Sequence, residues 1–121
     1  MHESSIGAVI SIVSSLLVIA ILYGVTRAGA TGGISRNGAV GIRTRATKRS
    51  DDAWQAGHAA ALSVVRILCL ALLALDVGCG TLVFLGPTAL VPWLGLVPAA
   101  GIVVAAVVTS RAAAQGADAA Q

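Results

Sequence analysis

Three long apolar runs, separated by one polar stretch and one short corner, make up most of this 121-residue chain. The first run covers residues 6–25 without a charge, the second covers 59–85 and the third covers 89–109. An α-helix needs ~20 mainly apolar residues to cross the hydrocarbon core of a bilayer, and each run has about that length or more. The pattern therefore predicts an all-α membrane protein with three transmembrane helices.

The polar stretch between the first two runs, residues 27–58, is predicted to be a loop that leads into a helical extension. It opens with the glycine-rich run AGATGG, which is expected to be irregular, and Asn37-Gly38 is a turn signal. Ser50 is a typical helix N-cap residue, and the two carboxylates after it suit the positive end of a helix dipole. The second helix is therefore predicted to begin at residue 51, before its membrane span.

This interfacial extension carries Trp54 and His58, four residues apart and hence on one face of the helix. A helix that is continuous from residue 51 to residue 85 has 35 residues. It would be about 52 Å long, whereas the hydrocarbon core is ~30 Å thick. Its first turns are therefore expected outside the core, where a tryptophan fits the aromatic belt of the membrane interface.

The third run is predicted to return antiparallel to the second, because the corner at 86–88 is too short for any other connection. Prolines at positions 92 and 98 predict kinks or a broken first turn in this helix. The small-residue tail at 112–121 is expected to be flexible.

The composition agrees with a single membrane domain over residues 1–121. Hydrophobic residues make up 57% of the chain and charged residues only 11%, whereas soluble domains carry about 25% charged residues. So few polar residues cannot cover this apolar excess in water. A soluble globular domain is therefore not expected.

Basic residues concentrate on one side of the predicted spans. Six of the eight Lys and Arg residues lie in the polar stretch: Arg27, Arg36, Arg43, Arg45, Lys48 and Arg49. Cytoplasmic loops carry such an excess, so the loop and the C-terminus are predicted to be cytoplasmic and the N-terminus outside. The expected partners of this basic loop are anionic lipid headgroups rather than nucleic acid.

Two charged residues interrupt the second run. Arg66 lies close enough to the predicted cytoplasmic surface for its guanidinium to reach the interface and anchor the helix. Asp76 lies deeper, so it is expected to be protonated, paired, or facing a watery crevice. Two roles stay open for Asp76: structural hydrogen bonding to small polar residues such as Ser14 or Ser15, or contact with a ligand, proton or partner.

The segment from Asn37 to His58, NGAVGIRTRATKRSDDAWQAGH, contains more than a topological loop requires. Arg43 offers a planar fork of donors that suits phosphate or carboxylate, and the hydroxyls of Thr44 and Thr47 could join it. No acid–base pair with a nucleophile and no cysteine–histidine ligand set accompanies them. Neither catalysis nor a metal or other cofactor is therefore predicted.

The spacing N-x3-G-I-R-T-x2-T-x6-W-x3-H resembles the signature of the SdpI family, the sporulation-delaying-protein immunity proteins. Eight positions match: Asn37, Gly41, Ile42, Arg43, Thr44, Thr47, Trp54 and His58. The resemblance takes in the motif and the hairpin of spans after it, with the preceding span in the expected place. A short, three-span member of the family is therefore expected.

The resemblance implies a multi-pass protein of the bacterial plasma membrane that protects against, or senses, a membrane-active peptide toxin. The founding type of the family protects its producer in this way, and it also holds a transcriptional repressor at the membrane. The chain departs from the family pattern at Arg45-Ala46, where Pro-Trp is frequent, and Lys48-Arg49 is more basic than usual. These departures leave the motif itself intact.

Two other functions stay open. The chain could be an accessory or structural subunit of a larger membrane complex, because small residues permit close helix packing or oligomerisation. The second run holds such residues at Ala71, Ala74, Gly78 and Gly80. Alternatively, the basic loop could recognise anionic lipid, with Arg43 on a phosphate. A membrane enzyme is the least expected class.

Overall fold

A computed structural model describes residues 3–120, which form three long helices with no strand among them. Short 3-10 turns at Thr47–Arg49 and Thr88–Leu90 precede the second and third helices. The helices are α1 (Glu3–Thr31), α2 (Asp51–Leu85) and α3 (Val91–Ala119). The predicted all-α fold with three spans is confirmed.

The large apolar side chains of the bundle point mostly outward. Ile67, Leu70, Phe84, Leu85 and Trp93 are between 65% and 84% exposed. Such a surface is unfavourable in water but matches lipid tails. Each of the three helices is long and apolar enough to cross a bilayer. The chain is therefore a multi-pass membrane protein.

The packing of α1 against α2 is antiparallel and includes polar contacts deep in the bundle. The Ser15 hydroxyl donates a hydrogen bond to Oδ2 of Asp76 at 2.7 Å. Seven residues before Asp76, the thiol of Cys69 lies 3.8 Å from the carbonyl oxygen of Ile19. Small side chains at these levels let the two helices approach closely.

Helix α3 completes the bundle by packing on both other helices. The Ser11 hydroxyl of α1 donates to the carbonyl of Gly95 at 2.7 Å, and the Cβ position of Gly95 lies 3.6 Å from the Cα of Ala8. On the α2 side, a Cβ at Gly101 would be 2.8 Å from a methyl group of Leu72. Glycines therefore mark the close approaches of α3 to both helices.

The ends of α1 and α3 meet the beginning of α2. Gly29 of α1 lies directly against the His58 ring, and a Cβ at Gly57 would be 2.7 Å from the carbonyl oxygen of Ala113 on α3. All three helix ends therefore gather beside the loop, in a unit that we call the polar cap and define as residues 28–58 and 112–120.

The level at which the polar cap begins follows from these contacts. Arg27 of α1 and Arg111 of α3 both lie two residues from a contact with the first turns of α2, near residue 60 of that helix. From there to Leu85, α2 is about 38 Å long, which is enough to cross the ~30 Å hydrocarbon core. The polar cap therefore lies on one side of the apolar bundle.

The structure differs from the prediction at the end of the first helix. The run at 6–25 continues as helix to Thr31, through four of the six residues of the glycine-rich segment that the sequence predicts to be irregular. Helix α1 ends where Gly32 adopts a φ of +82°, a left-handed conformation that suits glycine, and the Gly33 amide bonds to the Ala28 carbonyl. Packing against α2 explains the longer helix, because it favours helical backbone despite the glycines.

The C-terminal tail also differs from the prediction. Residues 112–119 of the expected flexible tail are helical and continue α3, and Ala113 and Ala117 are buried. Gln121 lies outside the described residues. Helix α3 is continuous through its two prolines: Pro92 lies in the first turn, where no helical partner exists for its nitrogen, and Pro98 lies inside, where a kink stays a prediction.

Candidate functional site

The beginning of α2 positions the two aromatic rings of the motif. Ser50 is the N-cap, and its hydroxyl accepts a hydrogen bond from the Ala53 amide at 3.0 Å, as predicted. Trp54 and His58 then follow one turn apart on the same face. Both are buried, and their ring centroids lie 4.3 Å apart.

The His58 ring joins α2 to the loop through both of its nitrogens. Nδ1 lies 2.7 Å from the Trp54 carbonyl oxygen, to which it can only donate. Nε2 accepts a hydrogen bond from the Ile42 amide at 3.0 Å. Together the two contacts require a neutral imidazole that carries its proton on Nδ1.

The surroundings of His58 favour the same neutral form. The residue precedes the apolar segment 59–85 and therefore lies in the polar cap, outside the membrane-spanning part of α2. Burial lowers the pKa of His58 below its ordinary value of 6.5, although the hydrogen bond to the Trp54 carbonyl acts in the opposite direction.

The loop folds over Trp54. The indole Nε1 donates to the Ile34 carbonyl at 3.1 Å, and the guanidinium carbon of Arg43 lies 5.9 Å from the ring centroid. Gly41 packs directly on the indole with a φ of +129°. A side chain at position 41 would overlap the ring and strain the backbone, so this position requires glycine.

Arg43 holds the loop by bonding to its backbone. Its Nη1 donates to the Arg36 carbonyl at 3.0 Å and also to the Gly38 carbonyl. Arg36 in turn pairs with Asp51 at the beginning of α2, at 2.8 Å. These contacts assign Arg43 a structural role in the loop, and its contact with a phosphate stays a prediction.

Thr44 and Thr47 form a reciprocal turn. Each backbone amide donates to the hydroxyl of the other threonine, at 2.9 and 3.1 Å, and the Thr47 hydroxyl donates to the Ile42 carbonyl at 2.7 Å. The Thr47 side chain is fully buried and its methyl group faces Gly57 of α2. The turn therefore fixes the same residue, Ile42, whose amide binds His58.

The end of α3 closes the polar cap. Arg49 pairs with Asp118 at 2.8 Å, and Gly116 lies so close to Ala60 that a side chain at position 116 would overlap it. Beside this ion pair a cavity of about 760 Å³ is lined by Arg45, Ala46, Lys48, Arg49 and Asp118. Its three cations against one carboxylate make it suited to an anion.

The structure brings together seven of the eight motif positions. Asn37 is exposed in the turn at 35–38, whose Gly38 amide bonds to the Ser35 carbonyl at 3.2 Å. Arg66 and Asp76 lie along α2 away from the polar cap. Arg66 is exposed in a groove beside Tyr23, whereas Asp76 is 2% exposed.

Several residues of the polar cap are not predicted from the sequence. They are Gly29, Gly57, Gly116 and Asp118, which come from three helices. The available signal was weak: a glycine inside a helical pattern indicates close packing, but it does not name the partner. Within residues 3–120, no group of histidine, cysteine and carboxylate side chains could hold a metal ion.

Comparison with known proteins agrees with the motif. A model of the SdpI/YfhL protein family matches residues 33–110, well over half of the chain. The match begins in the loop and runs through α2 into α3. No curated protein and no solved structure matches the chain.

Proposed function

Because the chain belongs to the SdpI/YfhL protein family, we propose that it is a bacterial plasma-membrane protein that protects against, or senses, a membrane-active peptide toxin. The observation that carries the proposal is the joining of the motif to all three helices. His58 contacts α1 through Gly29 and the loop through Ile42, while Gly57 contacts α3.

In this proposal the polar cap reports on the membrane bundle. A peptide that inserts beside the helices changes how they pack, and the helix ends move with them. Since Thr47 and His58 both bond to Ile42, such a movement reaches the loop surface directly. The loop then presents a changed surface to a partner. Alternatively, the helical bundle itself binds the toxin.

The immunity function is tested in a bacterium that is sensitive to membrane-active peptides. Cells that produce the chain are expected to survive a peptide from a challenge panel that kills cells without it. Thr47→Val should abolish protection, because it removes the hydroxyl that bonds the turn to Ile42. Thr31→Val is the matched control, since its hydroxyl is exposed and bonds only within α1.

Membrane abundance of each variant is measured by immunoblot, so that loss of protein is separated from loss of function. Equal killing with and without the chain across the whole panel would contradict the immunity function. Full protection by Thr47→Val at normal abundance would contradict the role of the motif.

The proposed orientation has the polar cap and C-terminus in the cytoplasm and the N-terminus outside. Its support is that seven of the eight basic residues lie at one end of the bundle and Arg66 is the eighth. A fluorescent protein fused after residue 121 is expected to fluoresce, whereas alkaline phosphatase at the same place should be inactive. The reverse result would overturn the orientation.

The proposed lipid contact is the cavity beside Arg49 rather than Arg43 alone. Arg45 and Lys48 line this cavity, whereas Arg43 bonds to loop carbonyls. Arg45→Ala with Lys48→Ala should reduce the anionic phospholipid that co-purifies in mild detergent, as measured by mass spectrometry. Unchanged retention would contradict this contact.

A second candidate function is that of an accessory subunit in a larger membrane complex. Its support is an exposed strip of small residues on α2, formed by Ala71, Ala74 and Gly78, with open space at the Cβ position of Gly78. Such strips allow another helix to approach closely.

Purification in mild detergent separates this function from the first. A co-purifying membrane protein that is lost in Gly78→Leu supports the subunit function. The matched control is Gly24→Leu, because Gly24 of α1 is equally open. A wild-type chain that purifies as a lone monomer would count against it.

A further inference from the structure

Asp76 is enclosed in the middle of the bundle with only half of its carboxyl group bonded. Oδ2 accepts the hydrogen bond from Ser15 at 2.7 Å, whereas Oδ1 is buried and has no hydrogen-bond partner among the described residues. The residue is 2% exposed and lies nine residues before the end of α2, about 13 Å along the helix from that end.

The apolar runs contain no counter-ion near this carboxyl group. The first run, 6–25, has Tyr23 as its only titratable side chain, and the third run, 89–109, has none. On α2 itself, Cys79 lies one turn away, and the nearest cation, Arg66, is ten residues or about 15 Å distant along the axis. Between residues 3 and 120, no cation of the three helices therefore lies close enough along the sequence of the spans to neutralise an ionised Asp76.

An ionised carboxylate in this position would be energetically unfavourable. Removing one from water costs several kcal/mol or more unless it is paired and fully hydrogen-bonded. One hydroxyl donor is too little for a carboxylate that can accept about four hydrogen bonds. Sodium is a poor alternative, because hard cations need several oxygen ligands, and the Ser15 hydroxyl is the one oxygen that bonds to this carboxyl group among the described residues.

We propose that Asp76 is an intramembrane proton-binding site: the carboxyl group is protonated on Oδ1, and its neutral form bonds α1 to α2 through Ser15. This assignment removes the charge from the unpartnered Oδ1, and Oδ2 keeps the carbonyl character that accepts from the Ser15 hydroxyl. Loss of the proton would leave a charge enclosed between the two helices and would separate them.

Infrared spectroscopy of the chain in lipid vesicles at neutral pH tests the proposal. The wild type is expected to show the carbonyl stretching band of a protonated carboxylic acid, which shifts in heavy water. Asp76→Asn should lose this band completely. Ser15→Ala should keep the band but move it to higher frequency, because the carbonyl no longer accepts a hydrogen bond.

The other four acids, Glu3, Asp51, Asp52 and Asp118, are exposed and serve as an internal comparison. Carboxylate bands that disappear in Asp76→Asn, with no protonated-acid band in the wild type, would overturn the proposal. So would a band in the wild type that changes when sodium is exchanged for choline, because the site would then hold a cation.

Stability provides a second measurement. Asp76→Asn is expected to keep the melting temperature, since an amide oxygen accepts the Ser15 bond without a charge. If Asp76→Asn does not fold, Ser15→Ala alone tests the proposal. A carbonyl band at the wild-type frequency in Ser15→Ala would overturn it.

Discussion

At the scale of single residues, glycines decide how closely the polar cap can pack. Gly29, Gly41 and Gly57 each face an aromatic ring, a carbonyl or a threonine methyl group at a distance that leaves no room for a Cβ. The His58 ring over Gly29 is the most consequential of these contacts, because it joins α1 to the motif.

Gly29→Ala should therefore destabilise the protein, since its methyl group would overlap the His58 ring. Overpacking of this kind costs roughly 1–3 kcal/mol, which thermal unfolding in detergent micelles can detect. Gly24→Ala on the same helix is the control, because nothing lies within 4 Å of its Cβ position. It should be neutral or slightly stabilising, as alanine favours helix over glycine.

A second prediction at the residue scale concerns pH. Burial lowers the pKa of His58 in the folded polar cap, so His58 binds a proton at a higher pH when the polar cap is open than when it is folded. The stability that the neutral ring contributes is present above about pH 6.5 and is lost as the pH falls below it. Protonation of Nε2 also removes the acceptor of the Ile42 bond.

Fluorescence of Trp54 in a Trp93→Phe background measures this loss. Acidification is expected to shift the emission to longer wavelength as the loop leaves the indole. The same titration in His58→Gln should show no such step below pH ~6.5. An identical acid transition in both proteins would assign the change to another group.

At the scale of elements, the last turns of α3 act as part of the site rather than as a tail. Gly116 contacts Ala60 and Gly57 of α2, whereas the neighbouring Gln115 is exposed. Gly116→Leu should push α3 away from α2 and cost roughly 1–3 kcal/mol. Gln115→Leu is the control and should change the melting temperature little. If Gly116→Leu and Gln115→Leu had the same melting temperature, the contact of α3 with the polar cap would be contradicted.

At the scale of the whole molecule, the two tryptophans lie at opposite ends and in opposite surroundings. Trp93 is 65% exposed at the beginning of α3, whereas Trp54 is 2% exposed beneath the loop. Lipids brominated on their acyl chains should therefore quench Trp93 in Trp54→Phe strongly, and quench Trp54 in Trp93→Phe weakly. Strong quenching of Trp54 would contradict the position of the polar cap outside the hydrocarbon core.

Local sequence pattern and the surrounding solvent are enough to specify several features of this protein. The lengths of the apolar runs specified three spans, because a helix satisfies its own backbone hydrogen bonds and an apolar surface is favourable in lipid. Capping chemistry gave the beginning of α2 at Asp51, and helical periodicity put Trp54 and His58 on one face. The spacing of eight motif residues indicated the family, and the match of the family model to residues 33–110 shows it.

How those features meet depends on packing between residues that are far apart in the sequence. The helical turns at 26–31 and 112–119 each contain a glycine, which weakens local helix propensity, whereas the alanines of 112–119 favour helix. Packing against α2 adds to this local preference in both segments. The sequence also left Ser14 and Ser15 as equal partners for Asp76. The rotation of α1 against α2 selected Ser15, because Ser14 faces outward.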